Sequence, residues 1–163
     1  MVYIYHASLA VLVRFSPHGA HGVLLTAVLH LGSKRLITSW HSMGAASAVS
    51  VWNIGAHQDD ENEKKSKASG DVDNHPKLVL SKAADLLDIS LAKSNGPVTV
   101  LHAVAEAVLL IGGNMDGDIY FWDTRRCRLL AISEKLHSSP VRAIEYLTRS
   151  QDLIVGYEDG CKS

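Results

Sequence analysis

The chain has 163 residues, 47% of them hydrophobic and 20% charged, which is one ordinary globular domain by size and composition and excludes a collagen-like or wholly disordered polypeptide. Sixteen Lys and Arg against 17 Asp and Glu leave a formal charge of -1. That excludes a global basic field of the kind that captures nucleic acid by counterion release. The two cysteines, Cys127 and Cys161, are too few for a disulfide scaffold.

The opening MVYIYHASLAVLVRF has no early Lys or Arg, and Arg14 closes its apolar stretch, unlike a secretory signal. No run approaches the roughly 18 uninterrupted apolar residues of a spanning helix. An intracellular protein, cytoplasmic or nuclear and without a membrane span, is the expectation, and free thiols agree with it. Residues 2–15 read as a short apolar strand, a turn and a second apolar strand. Three further runs follow: VLLTAVLHL from Val23, LITSW from Leu36, and VSVWNI from Val49. They are short, rich in Val, Ile, Leu and Trp, and punctuated by Gly and Ser, which is strand-and-turn patterning rather than a helical period.

Residues 55–75 are polar and mixed in charge, with Val72 their single branched aliphatic residue. Such a segment buries too little apolar surface to offset the entropy of ordering it, so a disordered charged insertion is expected there. Asp59-Asp60-Glu61 and Lys64, Lys65 and Lys67 make it a solvated spacer or a docking segment with Ser66 and Ser69 as candidate phosphoacceptors. Residues 77–92 are ambiguous. Leu78, Leu80, Ala84, Leu87 and Leu91 could line a helix face, whereas the spacing of the neighbouring strands asks for an outer strand near 86–91. A strand, with a helical turn ahead of it, is the expectation.

The second half contains a repeat. Pro97-Val98 is echoed by Pro140-Val141, Leu110-Ile111 by Leu153-Ile154, Gly113 by Gly156, and Asp116-Gly117 by Asp159-Gly160, all at one offset of 43 residues. The Asp-Gly pairs mark tight turns. The runs from Val23, Leu36 and Val49 form a weaker upstream copy, displaced by the insertion. Residues 2–15 resemble IYFWDTRRCRLLAI, from Ile119.

These features resemble a WD-repeat β-propeller, which has four strands per blade and a period near 40–45 residues. The likeness is best from Leu109 to Leu130, around Trp122-Asp123, and Trp52-Asn53 looks like a decayed copy. It implies an all-β fold: an incomplete WD-repeat β-propeller of antiparallel four-stranded blades. Residues 1–22 would end a first blade, 23–95 form a second with the insertion, 96–139 a third, and 140–163 begin a fourth. Propellers close with about four to eight blades, so the expectation is a piece of a larger protein, or one completed by another chain. The resemblance also implies a hydrogen-bonded group of His, Ser or Thr, turn Asp and Trp in each blade. This sequence offers His21, Thr38 or Ser39, and Trp52; then Asp116 and Trp122, with Asn95 in the place of His and Gly113 in the place of the hydroxyl; then His137 and Asp159.

No nucleophile elbow, phosphate-cradling loop or dinucleotide fingerprint occurs. His18-x-x-His21 and Asp71-x-Asp73-Asn74 lack the company a metal site needs. The expectation is therefore a non-catalytic interaction scaffold for other proteins, with no catalytic, cofactor or metal residue. Candidate partner residues are Asp123, Arg125, Arg126 and Trp40. Trp40 reads first as core or inter-blade packing and alternatively as an exposed anchor. Leu110 to Arg125 also resembles the box of WD-repeat substrate receptors of cullin-type ubiquitin ligases, with Asn114 departing from it. That resemblance makes adaptor binding through Asp123 and Arg125 the alternative function. Arg suits it because its rigid charged fork pairs with carboxylates. Arg125-Arg126-x-Arg128 could also meet an acidic partner.

Overall fold

The computed structural model describes residues 2–5, 11–15, 23–31, 34–42, 47–56, 78–86, 96–104, 108–133 and 137–160. Among these residues there are twelve strands and no α-helix: β1 (Val2–Tyr5), β2 (Val11–Phe15), β3 (Val23–Leu31), β4 (Arg35–Ser42), β5 (Ala48–Ala56), β6 (Leu78–Asp85), β7 (Val98–Val104), β8 (Leu109–Asn114), β9 (Ile119–Asp123), β10 (Arg128–Ile132), β11 (Val141–Leu147) and β12 (Asp152–Tyr157). They form four open antiparallel sheets, β1–β2, β3–β4–β5–β6, β7–β8–β9–β10 and β11–β12, each built from strands consecutive in the chain. The all-β expectation with four-stranded antiparallel sheets is met.

The outer strand of the second sheet lies earlier than expected, at Leu78–Asp85 rather than near 86–91. Half-buried Leu80 packs with Trp52 and Ile54, whereas buried Leu86 packs with Val49 and Val51 on the other face, because a one-residue bulge at Ala83 lies between them. Leu86 then closes the strand by donating its N–H to the Val49 carbonyl at 2.7 Å. At the other end of the insertion, β5 runs on through Ala56. Residues 57–75 of the expected insertion lie outside the described residues.

The repeat in the sequence is a repeat of register. In β7–β8, Val98 opposes Asn114 and Val100 opposes Gly113, so Thr99 is skipped. In β11–β12, Val141 opposes Tyr157 and Ala143 opposes Gly156, skipping Arg142. In β3–β4, Leu25 opposes Trp40 and Ala27 opposes Ser39, skipping Thr26. Each first strand therefore carries a one-residue bulge at the same place, which turns the bulged residue away from the ladder. Two of these residues reach the next sheet. The Thr26 hydroxyl donates to the Val98 carbonyl at 2.6 Å, and the Thr99 hydroxyl to the Val141 carbonyl at 2.8 Å. The acceptors are themselves equivalent, so one link joins successive sheets twice.

A second bulge recurs in the outer strands. Trp52 opposes Lys82 and Val51 opposes Ala84, skipping Ala83. Trp122 opposes Leu129 and Phe121 opposes Ala131, skipping Leu130. Tyr5 opposes Val11 and Ile4 opposes Val13, skipping Leu12. The two-stranded sheet β1–β2 thus copies the register of the outer pair β9–β10, and β11–β12 copies the inner pair β7–β8.

Apolar side chains fill the spaces between sheets. Ile37, Val49 and Val51 of the first four-stranded sheet share a buried cluster with Val98, Leu110 and Trp122 of the next. Ile111 and Ile119 share another with Val141, Ile144 and Val155.

The β8–β9 turn is organised by Asn114. Its Oδ1 accepts the N–H groups of Asp116 at 3.0 Å and Asp118 at 2.8 Å, and its amide donates to Asp118 Oδ2 and the Tyr120 hydroxyl. Gly117 holds φ at +91° beside the His137 carbonyl, where a Cβ would collide with that oxygen; Gly160, at φ +85°, faces open space. The two glycines separate strain from crowding. Gly160→Ala should cost about 1–2 kcal/mol, the penalty of a left-handed backbone alone. Gly117→Ala should cost at least about 1 kcal/mol more, because the neighbouring backbone must also move. Urea denaturation of the two variants measures this, and equal losses would contradict it.

Candidate functional site

The Trp-Asp end of β9 meets the turn to β10. Trp122 is fully buried and stacked on Tyr120, with ring centroids 5.5 Å apart and planes at 13°. Leu110 opposes Trp122 and Gly112 opposes Tyr120, as Leu36 opposes Trp52 and Thr38 opposes Ser50. Gly112, not Gly113, is therefore the counterpart of Thr38. A Cβ at Gly112 would lie 2.7 Å from the Trp122 ring, so the indole occupies the space a larger side chain would fill. Its buried Nε1 has no hydrogen-bond partner.

In the preceding sheet the hydroxyl is present. Thr38, fully buried, accepts the indole N–H of Trp52 at 2.8 Å and that of Trp40 at 2.5 Å. Trp40 is only 3% exposed and belongs to a cluster with Leu36 and Trp52. That agrees with its reading as core packing; it does not stand on the surface as an exposed anchor. In the last sheet, His137 Nδ1 lies 3.1 Å from Asp159 Oδ2, close enough for a charge contact but without hydrogen-bond geometry at that nitrogen. His137 also tilts against Tyr157 at 5.2 Å. Burial of Tyr157, with the charges of Asp118 and Asp159 adding, pushes its hydroxyl above the ordinary value of 10.0. Asp116 lies against Gly96, whose missing Cβ leaves room for its carboxylate. Of the residues named for those polar groups, Trp52 is thus bonded to Thr38, and His137 lies beside Asp159 with no hydrogen bond at Nδ1. His18, His21, Asn95, Ser66, Ser69, Asp71, Asp73, Asn74 and Cys161 lie outside the described residues.

The β9–β10 turn is fixed from inside. Thr124, 1% exposed, donates its N–H to the Val108 carbonyl at 2.9 Å and its hydroxyl to the same oxygen at 3.2 Å. The Thr124 carbonyl accepts the Cys127 thiol at 3.5 Å and Arg35 Nη1, from β4 of the preceding sheet, at 3.5 Å. Cys127 takes a left-handed backbone, φ +50°, that closes the turn. Asp123 Oδ1 accepts the N–H groups of Arg125 and Arg126, each at 2.9 Å. Its Oδ2 lies 3.9 Å from Arg126 Nε. The Arg126 N–H is the main cause holding the Asp123 carboxyl below its ordinary value of 3.8; burial opposes it, and the Arg125 N–H and the charges of Arg126 and Arg128 support it.

The structure brings Asp123, Arg125 and Arg126 together at one corner and leaves the side chains of Arg125, Arg126 and Arg128 exposed. Asp123 is turned inward onto its own loop, so the outward-facing charges are the arginines. The Asn114 hub was not among the sequence candidates, although the spacing Asn114, Asp116-Gly117-Asp118 marks such a turn. Among the described residues no three His, Cys, Asp or Glu side chains gather as a metal site would require, and no helix is long and apolar enough to cross a membrane. No model of a known protein family matches the chain, and no curated protein matches it.

Two outcomes test this description. Thr38→Val should cost about 2–4 kcal/mol in urea denaturation, because two buried indole N–H groups lose their acceptor together; a loss under about 1 kcal/mol would show that the hydroxyl is dispensable. The folded carboxyl of Asp123 sits below its unfolded value, so the turn's stabilisation is present above that value and lost as pH falls through the depressed folded one. The amide signals of Arg125 and Arg126 should therefore titrate with a midpoint below 3.8. A midpoint at or above that value would show that the two N–H bonds do not form in solution.

Proposed function

We propose that the chain is part of a WD-type β-propeller that acts as a non-catalytic platform for other proteins. Three observations support the architecture. The sheets share one register, they carry the same bulges, and equivalent threonine–carbonyl bonds join them in succession. In such a platform the strands are scaffold and the corners between them carry recognition.

The corner at Asp123 carries the functional reading. A carboxylate that accepts two backbone N–H bonds fixes the turn, and Arg125 and Arg126 project from it into solvent. Two exposed guanidinium groups on a fixed turn can form charge-assisted bonds with a carboxylate-bearing partner. The partner surface that fits is acidic. Capture of proteins by the immobilised chain tests this: Arg125→Ala/Arg126→Ala should reduce recovery of the bound proteins at least about tenfold with the melting temperature unchanged. Recovery that is indifferent to the double substitution would reject the corner as the site.

The same observation favours a narrower second reading, a substrate receptor held by the adaptor of a cullin-type ubiquitin ligase through Asp123 and Arg125. On this reading Asp123 orients and Arg125 contacts. Arg125→Ala alone should weaken binding to purified adaptor by about tenfold or more, and unchanged affinity would remove the reading while leaving the general platform in place.

A further inference from the structure

The charged side chains of the described residues sort by the end of the sheets at which they lie. The β3–β4, β9–β10 and β11–β12 turns share one end. Thr124, in the β9–β10 turn, donates its N–H to the carbonyl of Val108, just before β8. Arg35, at the start of β4, reaches the Thr124 carbonyl, and β11–β12 repeats the register of β7–β8. At this end stand Lys34, Arg35, Arg125, Arg126, Arg128 and Arg149, all exposed. Asp123 and Asp152 are the carboxylates beside them among the described residues. At the opposite end lie the close of β6, the β8–β9 turn and the residues after β12. Asp85, Asp116, Asp118, Glu158 and Asp159 gather there. The cations near them are committed, Lys82 to Asp85 and Arg142 to Glu158, each at 2.8 Å. A formal charge of -1 over the whole chain thus conceals two ends of opposite sign among the described residues.

The cations of the basic end are not spread evenly. The β11–β12 turn carries exposed Asp152 as well as exposed Arg149, so its two charges cancel. In the β9–β10 turn, Asp123 is engaged by the N–H groups of its own loop, and the Arg126 side chain beside it stays 69% exposed. The described residues of the β3–β4 turn add Lys34 and Arg35 and no carboxylate. The contact of Arg35 with the Thr124 carbonyl, at 3.5 Å, joins the two turns across the gap between sheets. Five cations, four of them arginine, therefore form one patch over two neighbouring sheets.

The make-up of the patch selects the anion. Guanidinium forks match carboxylates through paired, charge-assisted bonds. Single-stranded nucleic acid asks for aromatic faces on which bases stack, and none of the aromatic side chains of β3 to β12 is exposed. A membrane surface asks for apolar side chains that enter it beside the cations. The described residues of these two turns offer only half-buried Cys127. Stacked sheets lie about 10 Å apart, and an extended segment advances about 3.3 Å per residue. Carboxylates about three residues apart would therefore meet the two turns in succession.

We infer that the patch is a docking surface for an extended acidic segment of a partner protein. One carboxylate of that segment sits on Arg125 and Arg126, and another, about three residues away, on Lys34 and Arg35. The inference rests on the reading of the Asp123 corner as the site of an acidic partner. It adds the other half of the surface, on the neighbouring sheet.

A labelled peptide of about twelve residues, with Glu at every third position and Ser and Gly between, tests this by fluorescence anisotropy at low salt, where surface charges are least screened. The same peptide with Gln for Glu should bind about tenfold more weakly or worse. Lys34→Glu should weaken binding of the Glu peptide about fivefold or more with the melting temperature unchanged, and Lys34→Arg should retain it. Arg149→Glu makes a comparable change of charge at the same end and should alter binding by about twofold or less.

An indifferent Lys34→Glu, beside a loss in Arg125→Ala/Arg126→Ala, would overturn the inference and leave the corner reading standing. Equal losses in Lys34→Glu and Arg149→Glu would also overturn it, since the chain would then answer to net charge alone. No preference for the Glu peptide over its Gln form would overturn the corner reading as well. Tighter binding of a single-stranded oligonucleotide or of phosphatidylserine vesicles than of the Glu peptide would do the same.

Discussion

The skipped residue at the start of each first strand is the constraint on which the rest of the structure depends. An antiparallel ladder left to itself would point successive side chains alternately to its two faces. By inserting Thr26 and Thr99 as extra residues, β3 and β7 free one hydroxyl each to reach sideways to the backbone of the next sheet. The acceptor carbonyls belong to Val98 and Val141, both fully buried. These threonine–carbonyl bonds fix where one sheet meets the next, and the apolar clusters fill the space between them. At the third equivalent position stands Arg142, exposed and paired with Glu158 at 2.8 Å. A long charged side chain there replaces a short hydroxyl bond, and the device is altered where no further sheet follows among the described residues.

Much of this was legible in the sequence, and for a physical reason. A residue step preserved across strands is preserved because register is unforgiving: one slip sends every side chain to the wrong face. The echo of Pro97-Val98 in Pro140-Val141, and of Asp116-Gly117 in Asp159-Gly160, was therefore a reliable sign that the two segments share pairing, and they do. The outer strand at Leu78–Asp85 was misplaced because its alternation is interrupted by the bulge at Ala83, which shifts the apolar positions and lets the run imitate a helix face. The displacement of Gly113 by Gly112 as the counterpart of Thr38 has the same origin: adjacent glycines carry no side chain to declare which face they occupy, and only the ladder resolves it.

The site was legible in composition but not in direction. Asp123 and Arg125 stood out together, and the natural expectation was that both face a partner. The structure separates them, because a carboxylate two and three residues before a pair of free backbone N–H groups satisfies those donors first. What remains outward is the positive half of the motif. Arg35, unremarked in the sequence, proved to be a brace: it crosses from β4 to the Thr124 carbonyl and ties this corner to the neighbouring sheet, so the height at which the arginines stand is coupled to the spacing between sheets.

The side-chain networks differ among the sheets more than the backbone does, and the difference has a direction. One sheet holds two tryptophan N–H groups on Thr38. The next has no hydroxyl, and its tryptophan gains a stacked tyrosine instead. The last joins His137 to Asp159. An orphaned indole N–H costs about 1–3 kcal/mol, which the stacking at Tyr120 and the complete burial of Trp122 offset through dispersion and apolar area. Such exchange is tolerable only if the networks are not what sets the fold. The bulges recur in one register, and the threonine–carbonyl bonds join successive sheets, whichever polar group a sheet carries. Each sheet thus keeps its register while its side-chain network differs, and at Asp123 the corner carries the exposed Arg125, Arg126 and Arg128.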